Sequence, residues 1–155
     1  MLPEKTPSRV PEQAPEFLFE FMNGCELGAI ATVTTEGKPE VAIMQFAVTE
    51  DLELIFDTPA STRKYQNIQE NNYVAFAIWK EFDIAQYEGV AIELQGEELT
   101  RYKEILFTKN PDARQWESVV PDLAFFKIIP RWIRYTGFKQ DPWEITFPEN
   151  KEPAS

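Results

Sequence analysis

Two adjacent cations, Arg63 and Lys64, follow Ser61 and Thr62 at the predicted start of a short helix. A helix N-terminus already carries partial positive charge and unpaired N–H groups, so its first turn usually holds Asp or Glu. Two cations at this point concentrate positive potential in a chain with a formal net charge of −11. This basic pair indicates an anion site, such as a phosphate over the helix end. The alternative is a solvated helix end without a ligand.

The composition limits which other chemistry the chain can perform. The sequence contains no histidine and a single cysteine, Cys25. These counts exclude His-based acid–base catalysis, Ser–His triads, His-ligated metal or haem sites, intramolecular disulfides and Cys-x-x-Cys redox pairs. Reactivity must therefore come from a cofactor, from carboxylates, lysine or tyrosine, or be absent. The net charge also disfavours nucleic acid and anionic membrane surfaces as partners.

The length of 155 residues predicts one domain, and no apolar run is long enough to span a membrane. Residues 1–15 contain four prolines and predict a flexible arm, residues 16–148 the folded domain, and residues 149–155 a disordered tail. The first residues lack the apolar segment of a secretory signal, so we expect a cytoplasmic location.

Short strands joined by tight turns dominate the chain between a first helix near 14–23 and the tail. Two hairpins near the start predict an antiparallel sheet. Short helices are predicted at 61–70, 101–110 and from 110 to 116, and a long fifth strand over 87–100, with Gly89 and Gly96 at bulges or close approaches. Six or seven antiparallel strands favour a closed or nearly closed barrel, because closure removes sheet edges.

Four segments carry a resemblance to a known family: GAIATVTTEGKPEVAIMQFAV, LIFDT, STRKYQNIQENNYVAFAI and FFKIIPRWIRY. Over residues 27–135 the chain resembles the pyridoxamine 5′-phosphate oxidase-like, FMN-binding split-barrel family. The most specific part is the Phe-Asp-Thr strand end at 56–58, followed by the basic pair opening a helix. The resemblance implies a mainly β fold, namely a six- to seven-stranded antiparallel split β-barrel of the Greek-key type with flanking helices. It also implies FMN as the cofactor.

The same resemblance assigns site residues. The basic pair would hold the FMN phosphate, with polar contacts near the phosphate and ribityl chain from three further residues: Asp57, Thr58 and Thr62. A second-strand segment would line the isoalloxazine ring with its backbone: Met44, Gln45 and Phe46. Late aromatic residues would complete the site across a homodimer interface: Trp132 and Tyr135. From the residues alone, strand alternation favours a core position for Phe46, and Asp-Thr-Pro is also ordinary turn chemistry.

The resemblance further implies an FMN-binding oxidoreductase or flavin reductase, with a nicotinamide electron donor or another small molecule as substrate. Pyridoxamine 5′-phosphate oxidation is not expected. The chain lacks the histidine of the C-terminal Arg and His pair of the true oxidases, and Ala91 stands at or near the position of their flavin-proximal glutamine. The alternatives are a non-catalytic flavin carrier or sensor, a barrel dimer without a ligand, and binding of a deazaflavin (F420) in place of FMN.

Overall fold

The computed structural model describes residues 9–149. The helices in this part are α1 (Ala14–Asn23), α2 (Arg63–Glu70), α3 (Gly96–Lys109) and α4 (Arg114–Val119), with a 3-10 helix at Pro111–Ala113. The strands are β1 (Leu27–Val33), β2 (Pro39–Gln45), β3 (Ala47–Val48), β4 (Leu54–Pro59), β5 (Tyr73–Lys80), β6 (Asp83–Glu93), β7 (Leu123–Gly137) and β8 (Gln140–Thr146).

The strands form one antiparallel sheet in the order β2-β1-β5-β6-β7-β4-β3, with β8 paired to β7. The two ends of this order, β2 and β3, are consecutive in the chain and are separated only by Phe46. One bent strand therefore pairs with β1 before the bend and with β4 after it, so the sheet curls back on itself. The predicted mainly β, antiparallel split-barrel fold is confirmed. The described residues contain eight strand segments because the second predicted strand is broken at the bend.

Two contacts with distant parts of the chain stabilise the bend at Phe46. The Phe46 side chain is completely buried, and its ring packs 6.0 Å from that of Phe76. Its carbonyl leaves the ladder and accepts a hydrogen bond of 3.0 Å from the Asn110 side-chain amide. Because a buried carbonyl without a partner is costly, Asn110 stabilises the point where the barrel closes.

Aromatic rings fill the barrel and its ends. Phe56 and Phe126, on the paired strands β4 and β7, stack at 5.2 Å. Helix α1 covers another part of the barrel, where its Phe17 packs edge-on against Tyr135 at 4.8 Å. The helix begins at Ala14, two residues before the predicted domain start. The predicted arm and tail fall largely on residues 1–8 and 150–155, which lie outside the described residues.

The predicted fifth strand over 87–100 is wrong at both ends, because β6 begins at Asp83 and stops at Glu93. Gly96 adopts φ +60 and opens α3, and acidic residues follow it in the first turn, where they complement the helix dipole. Gly89 does mark a close approach, since a Cβ there would lie 2.3 Å from the Ile129 carbonyl oxygen. The β6–β7 register shifts between Glu88 and Gly89.

A buried charge network attaches α3 to the barrel. Lys127 of β7 is only 5% exposed, and its amine lies 2.9 Å from Glu98 of α3 and 4.0 Å from Glu53. The Tyr102 hydroxyl donates to Glu53 at 2.6 Å. Each charge therefore has a partner, which a buried ion requires.

Candidate anion and flavin site

The start of α2 is tied to the end of β4 by hydroxyl groups. Thr62 is the N-cap of α2, and its hydroxyl accepts a hydrogen bond of 3.3 Å from the Tyr65 N–H. The same hydroxyl lies 2.9 Å from that of Thr58, the strand-end residue. The Lys64 amine donates to the Thr58 hydroxyl at 3.2 Å. Two hydroxyls and one amine therefore converge where the strand meets the helix.

A pocket of about 370 Å³ opens beside this helix start, within the size range of small-molecule sites. We call it the anion pocket. The basic pair lines it together with residues from β1, β2 and the turn before α2: Ile30, Thr32, Glu40, Val41, Ala42, Ser61 and Thr62. The β1–β2 hairpin and the start of α2, which are distant in sequence, thus meet around the two cations.

Glu40 is a carboxylate within this pocket. Its Oε2 lies 2.7 Å from a guanidinium nitrogen of Arg63. Its Oε1 accepts a hydrogen bond of 2.8 Å from the Asn67 amide, which also donates to the Thr32 hydroxyl at 3.0 Å. The Glu40 side chain is 19% exposed, whereas that of Arg63 is 80% exposed. The carboxylate is therefore fixed, and the guanidinium reaches it from solvent.

Asp57 brings a second carboxylate close to the basic pair. Burial raises the pKa of Asp57 to about 6, although its own backbone N–H and the positive charge of Lys64 act in the opposite direction. One of its oxygens is buried without a hydrogen-bond partner. Burial also lowers the pKa of Lys64, against the effect of Asp57. The two cations are thus opposed by two carboxylates, Glu40 and Asp57.

The predicted ring-lining segment lies at the bend of the second strand. Met44 packs against the main core, and Phe46 is buried beneath the Lys109 amine, which lies 3.6 Å from the centre of its ring. The Gln45 amide donates to Asp112 at 3.2 Å. None of these three side chains lines the anion pocket.

The two late aromatic residues lie on opposite faces of β7. Trp132 lies on the outer face of the sheet, where it lines a mainly apolar cavity of about 310 Å³. We call this cavity the outer trough; its floor includes four alanines from β1 and β5: Ala29, Ala31, Ala75 and Ala77. Val41 lines both the outer trough and the anion pocket. Tyr135 is only 3% exposed and packs beneath α1, so the structure does not bring it to Trp132.

Glu40 and Asn67 are two residues of the pocket that are not predicted from the sequence. The sequence pattern hides Glu40, because alternation would turn the apolar Val41 and Ile43 inward, whereas the structure exposes both and turns Glu40 toward the interior. The next inward positions, Ala42 and Met44, are apolar. A charged residue in an apolar register requires a partner. Only the tertiary structure identifies these partners as Arg63 and Asn67.

The part of the chain that the structure describes shows neither a metal-binding cluster nor a membrane-spanning helix. No group of three or more His, Cys, Asp or Glu side chains among residues 9–149 is arranged to hold a metal ion. Within the same residues, no helix combines the length and apolar character needed to cross a membrane.

The curled antiparallel sheet, whose two end strands β2 and β3 follow one another in the chain, places the protein in the split-barrel class. A family model described as pyridoxamine 5′-phosphate oxidase matches residues 14–137. The chain belongs to this family. A comparison of the sequence with curated proteins found no significant match.

Several solved structures share the fold. The heme binding protein from Mycobacterium smegmatis has a TM-score of 0.77 and 18% identity over 89% of this chain, which spans 60% of that protein's length. General Stress Protein 26 from Bacillus anthracis strain Sterne has a TM-score of 0.69 and 23% identity, covering 87% of this chain and 99% of that one. HutZ, the heme storage protein from Vibrio cholerae, has a TM-score of 0.67 and 16% identity, covering 85% and 92%. At these identities the similarity establishes the common fold alone.

Proposed function

We propose that this protein is an FMN-binding oxidoreductase of the flavin-reductase type, and that the anion pocket holds the flavin by its phosphate. The observation that carries the proposal is the convergence of the basic pair with Ser61 at the start of α2. The Thr62 hydroxyl shapes this site without donating to a ligand, because it caps the helix and donates to the Pro59 carbonyl at 2.9 Å. Helix N-termini favour anions through their dipole and free N–H groups. Family membership supports the same assignment.

The residues of the anion pocket fit a phosphate group. The Thr62 hydroxyl accepts a hydrogen bond from the Tyr65 N–H, and the Thr62 carbonyl accepts one from the Gln66 N–H. Among the described residues, the backbone N–H groups of Arg63 and Lys64 have no backbone acceptor, so they can donate to a ligand. The Lys64 ammonium group has three hydrogen-bond donors, of which one is used in the hydrogen bond to the Thr58 hydroxyl. Charge-assisted hydrogen bonds of this kind contribute about 1.5–3 kcal/mol each. Asp57 and Thr58 lie at the adjoining strand end, where we place the ribityl chain.

The outer trough suits the flat ring system. Its alanine floor gives a planar, apolar surface, and Val41 connects it to the anion pocket. We assign the backbone of residues 44–46, at the bend of the same strand, to the rim of the ring. Trp132 supplies an aromatic wall, whereas Tyr135 lies in the core beneath α1.

We further propose that the protein acts as a homodimer through the outer face of the sheet. Val41 is 70% exposed and Ile43 is 59% exposed on the edge strand β2, and Trp79 extends the apolar surface on β5. Contiguous apolar surface of this kind marks an interface. A second copy on this face would exclude water from the outer trough, and its Trp132 would close the site.

When bound, FMN supplies the hydride and electron chemistry, with a nicotinamide as the electron donor. The chain itself binds the phosphate, orients the ring and excludes water. Two of the similar structures are named for heme binding or storage. Because this chain has no histidine, a His-ligated haem cannot form in it, which favours a flavin as the bound group. The cytoplasmic location stays a prediction.

Reconstitution tests the proposal. The full chain is stripped of bound flavin and titrated separately with FMN and with the deazaflavin F420, and binding is followed by flavin absorbance and fluorescence. We expect saturation with FMN at one flavin per chain, followed by oxidation of NADH or NADPH. Failure of FMN to saturate the protein refutes the proposal. Saturation without nicotinamide turnover supports the flavin-carrier alternative, and preferential saturation by F420 supports the deazaflavin alternative.

A further inference from the structure

We infer that Glu40 determines the phosphate affinity of the anion pocket by occupying Arg63 in place of a ligand oxygen. The inference rests on the proposed function, since it concerns the same pocket. Its starting point is the 2.7 Å contact between the Glu40 carboxylate and the Arg63 guanidinium. A carboxylate and a phosphate present the same kind of acceptor oxygens to an arginine. A phosphate that binds Arg63 must therefore replace or share the Glu40 contact.

The position of Glu40 is built into the fold. Asn67 is 9% exposed and uses both protons of its side-chain amide, one toward Glu40 and one toward Thr32. Thr32 is itself 4% exposed on β1. The contact thus joins β1, β2 and α2, and it holds the carboxylate at the wall of the pocket independently of Arg63.

Arg63 is the partner that is free to move. Its side chain is 80% exposed and that of Glu40 is 19% exposed. Long, exposed side chains lose conformational freedom when they are held in an ion pair, so such pairs are weak. We expect Arg63 to turn from Glu40 to a ligand phosphate, while Glu40 stays in place.

Glu40 also acts on the ligand directly. Once Arg63 has turned away, the fixed carboxylate faces the incoming phosphate across the same pocket. The carboxylate and the phosphate carry like charges and repel each other at short range in a partly buried site. Breaking the Glu40–Arg63 ion pair adds to the free-energy cost of phosphate binding. Both effects lower the affinity for a phosphate ester and leave a neutral ligand unaffected. Glu40 therefore raises the dissociation constant of FMN above the value that the basic pair alone would give.

The variant Glu40→Gln tests the inference, because the glutamine keeps the acceptor for Asn67 and removes the charge. We expect the dissociation constant of FMN to fall by about threefold to tenfold and that of riboflavin, which lacks the phosphate, to stay within about twofold. Both are measured by quenching of flavin fluorescence, with inorganic phosphate as a competitor. The matched control is Glu36→Gln, which removes the same charge from an exposed turn of the same hairpin.

Two results separate failure of this inference from failure of the proposed function. Weaker FMN binding by the Glu40→Gln variant, with riboflavin binding unchanged, means that Glu40 positions Arg63 for the ligand. Unchanged FMN binding means that Glu40 does not affect the ligand. Either result overturns this inference and leaves the proposed function standing. Equal affinity of the wild-type protein for FMN and riboflavin, with no competition by phosphate, refutes the phosphate pocket and the inference together. In an Arg63→Ala background, the gain from Glu40→Gln should shrink, because the broken pair no longer contributes.

Discussion

Replacing Asp57 by asparagine is expected to stabilise the protein at alkaline pH but not at acidic pH. Burial raises the pKa of Asp57 from its ordinary value of 3.8 to about 6, and one of its oxygens has no hydrogen-bond partner. The unfolded chain releases this proton near pH 3.8, whereas the folded protein holds it until about pH 6. Between these values the folded state binds more protons, so its stability falls as the pH rises. The loss of stability from the buried Asp57 charge is therefore absent below about pH 3.8 and complete above about pH 6.

The magnitude follows from the size of the shift. The pKa of Asp57 rises by about two units, and each unit corresponds to about 1.4 kcal/mol of unfolding free energy. Asp57→Asn should therefore gain about 2–3 kcal/mol in unfolding free energy at pH 8, relative to its effect at pH 4. Any change in hydrogen bonding made by the new amide is common to both pH values and cancels in this comparison.

Urea unfolding of the wild-type protein and the variant at pH 4 and pH 8 measures the effect. Asp51→Asn is the control, because it removes the same charge from an exposed turn between β3 and β4. The expected outcome is a pH-dependent gain for Asp57→Asn and a much smaller one for Asp51→Asn. A gain or loss for Asp57→Asn that is equal at the two pH values would show that the carboxylate is not buried as a charge.

Two further substitutions test the scaffold around the site. Lys127→Ala should cost about 1.5–3 kcal/mol in urea unfolding, because it removes a buried cation that donates to Glu98 and lies near Glu53, whereas Lys38→Ala in an exposed pair should change stability by less than about 1 kcal/mol. Equal effects would contradict the buried network. Gly89→Ala should lower the unfolding free energy by about 2–4 kcal/mol or prevent folding, since its Cβ would overlap a backbone oxygen of β7. A melting temperature within about 2 °C of the wild type would refute that close approach.

The fold was predictable because its signals are local. Alternating apolar residues mark the strands, and Thr62 and the basic pair mark the start of α2, which the structure places at Arg63. The misplaced boundary between β6 and α3 also has a local reason. Gly96 resembles a strand bulge in the sequence, but its positive φ ends the strand and begins the helix.

The electrostatics of the site were not predictable, because they depend on contacts between distant segments. Glu40 meets Asn67 across 27 positions of the chain, and no periodicity encodes that contact. The burial of Asp57 likewise follows from what covers β4 rather than from the Phe-Asp-Thr pattern. Trp132 and Tyr135 are three apart, so strand alternation alone separates their faces, although family resemblance grouped them.

The most direct test of the central proposal compares FMN with riboflavin in a variant without the basic pair. Arg63→Ala combined with Lys64→Ala should weaken FMN binding by about a hundredfold or more, as expected for two charge-assisted contacts, and change riboflavin binding by less than about threefold. Lys38→Ala combined with Arg101→Ala removes the same charge outside the anion pocket and should leave both affinities nearly unchanged. An equal loss for both flavins, or no loss for FMN, would contradict a phosphate held at the start of α2.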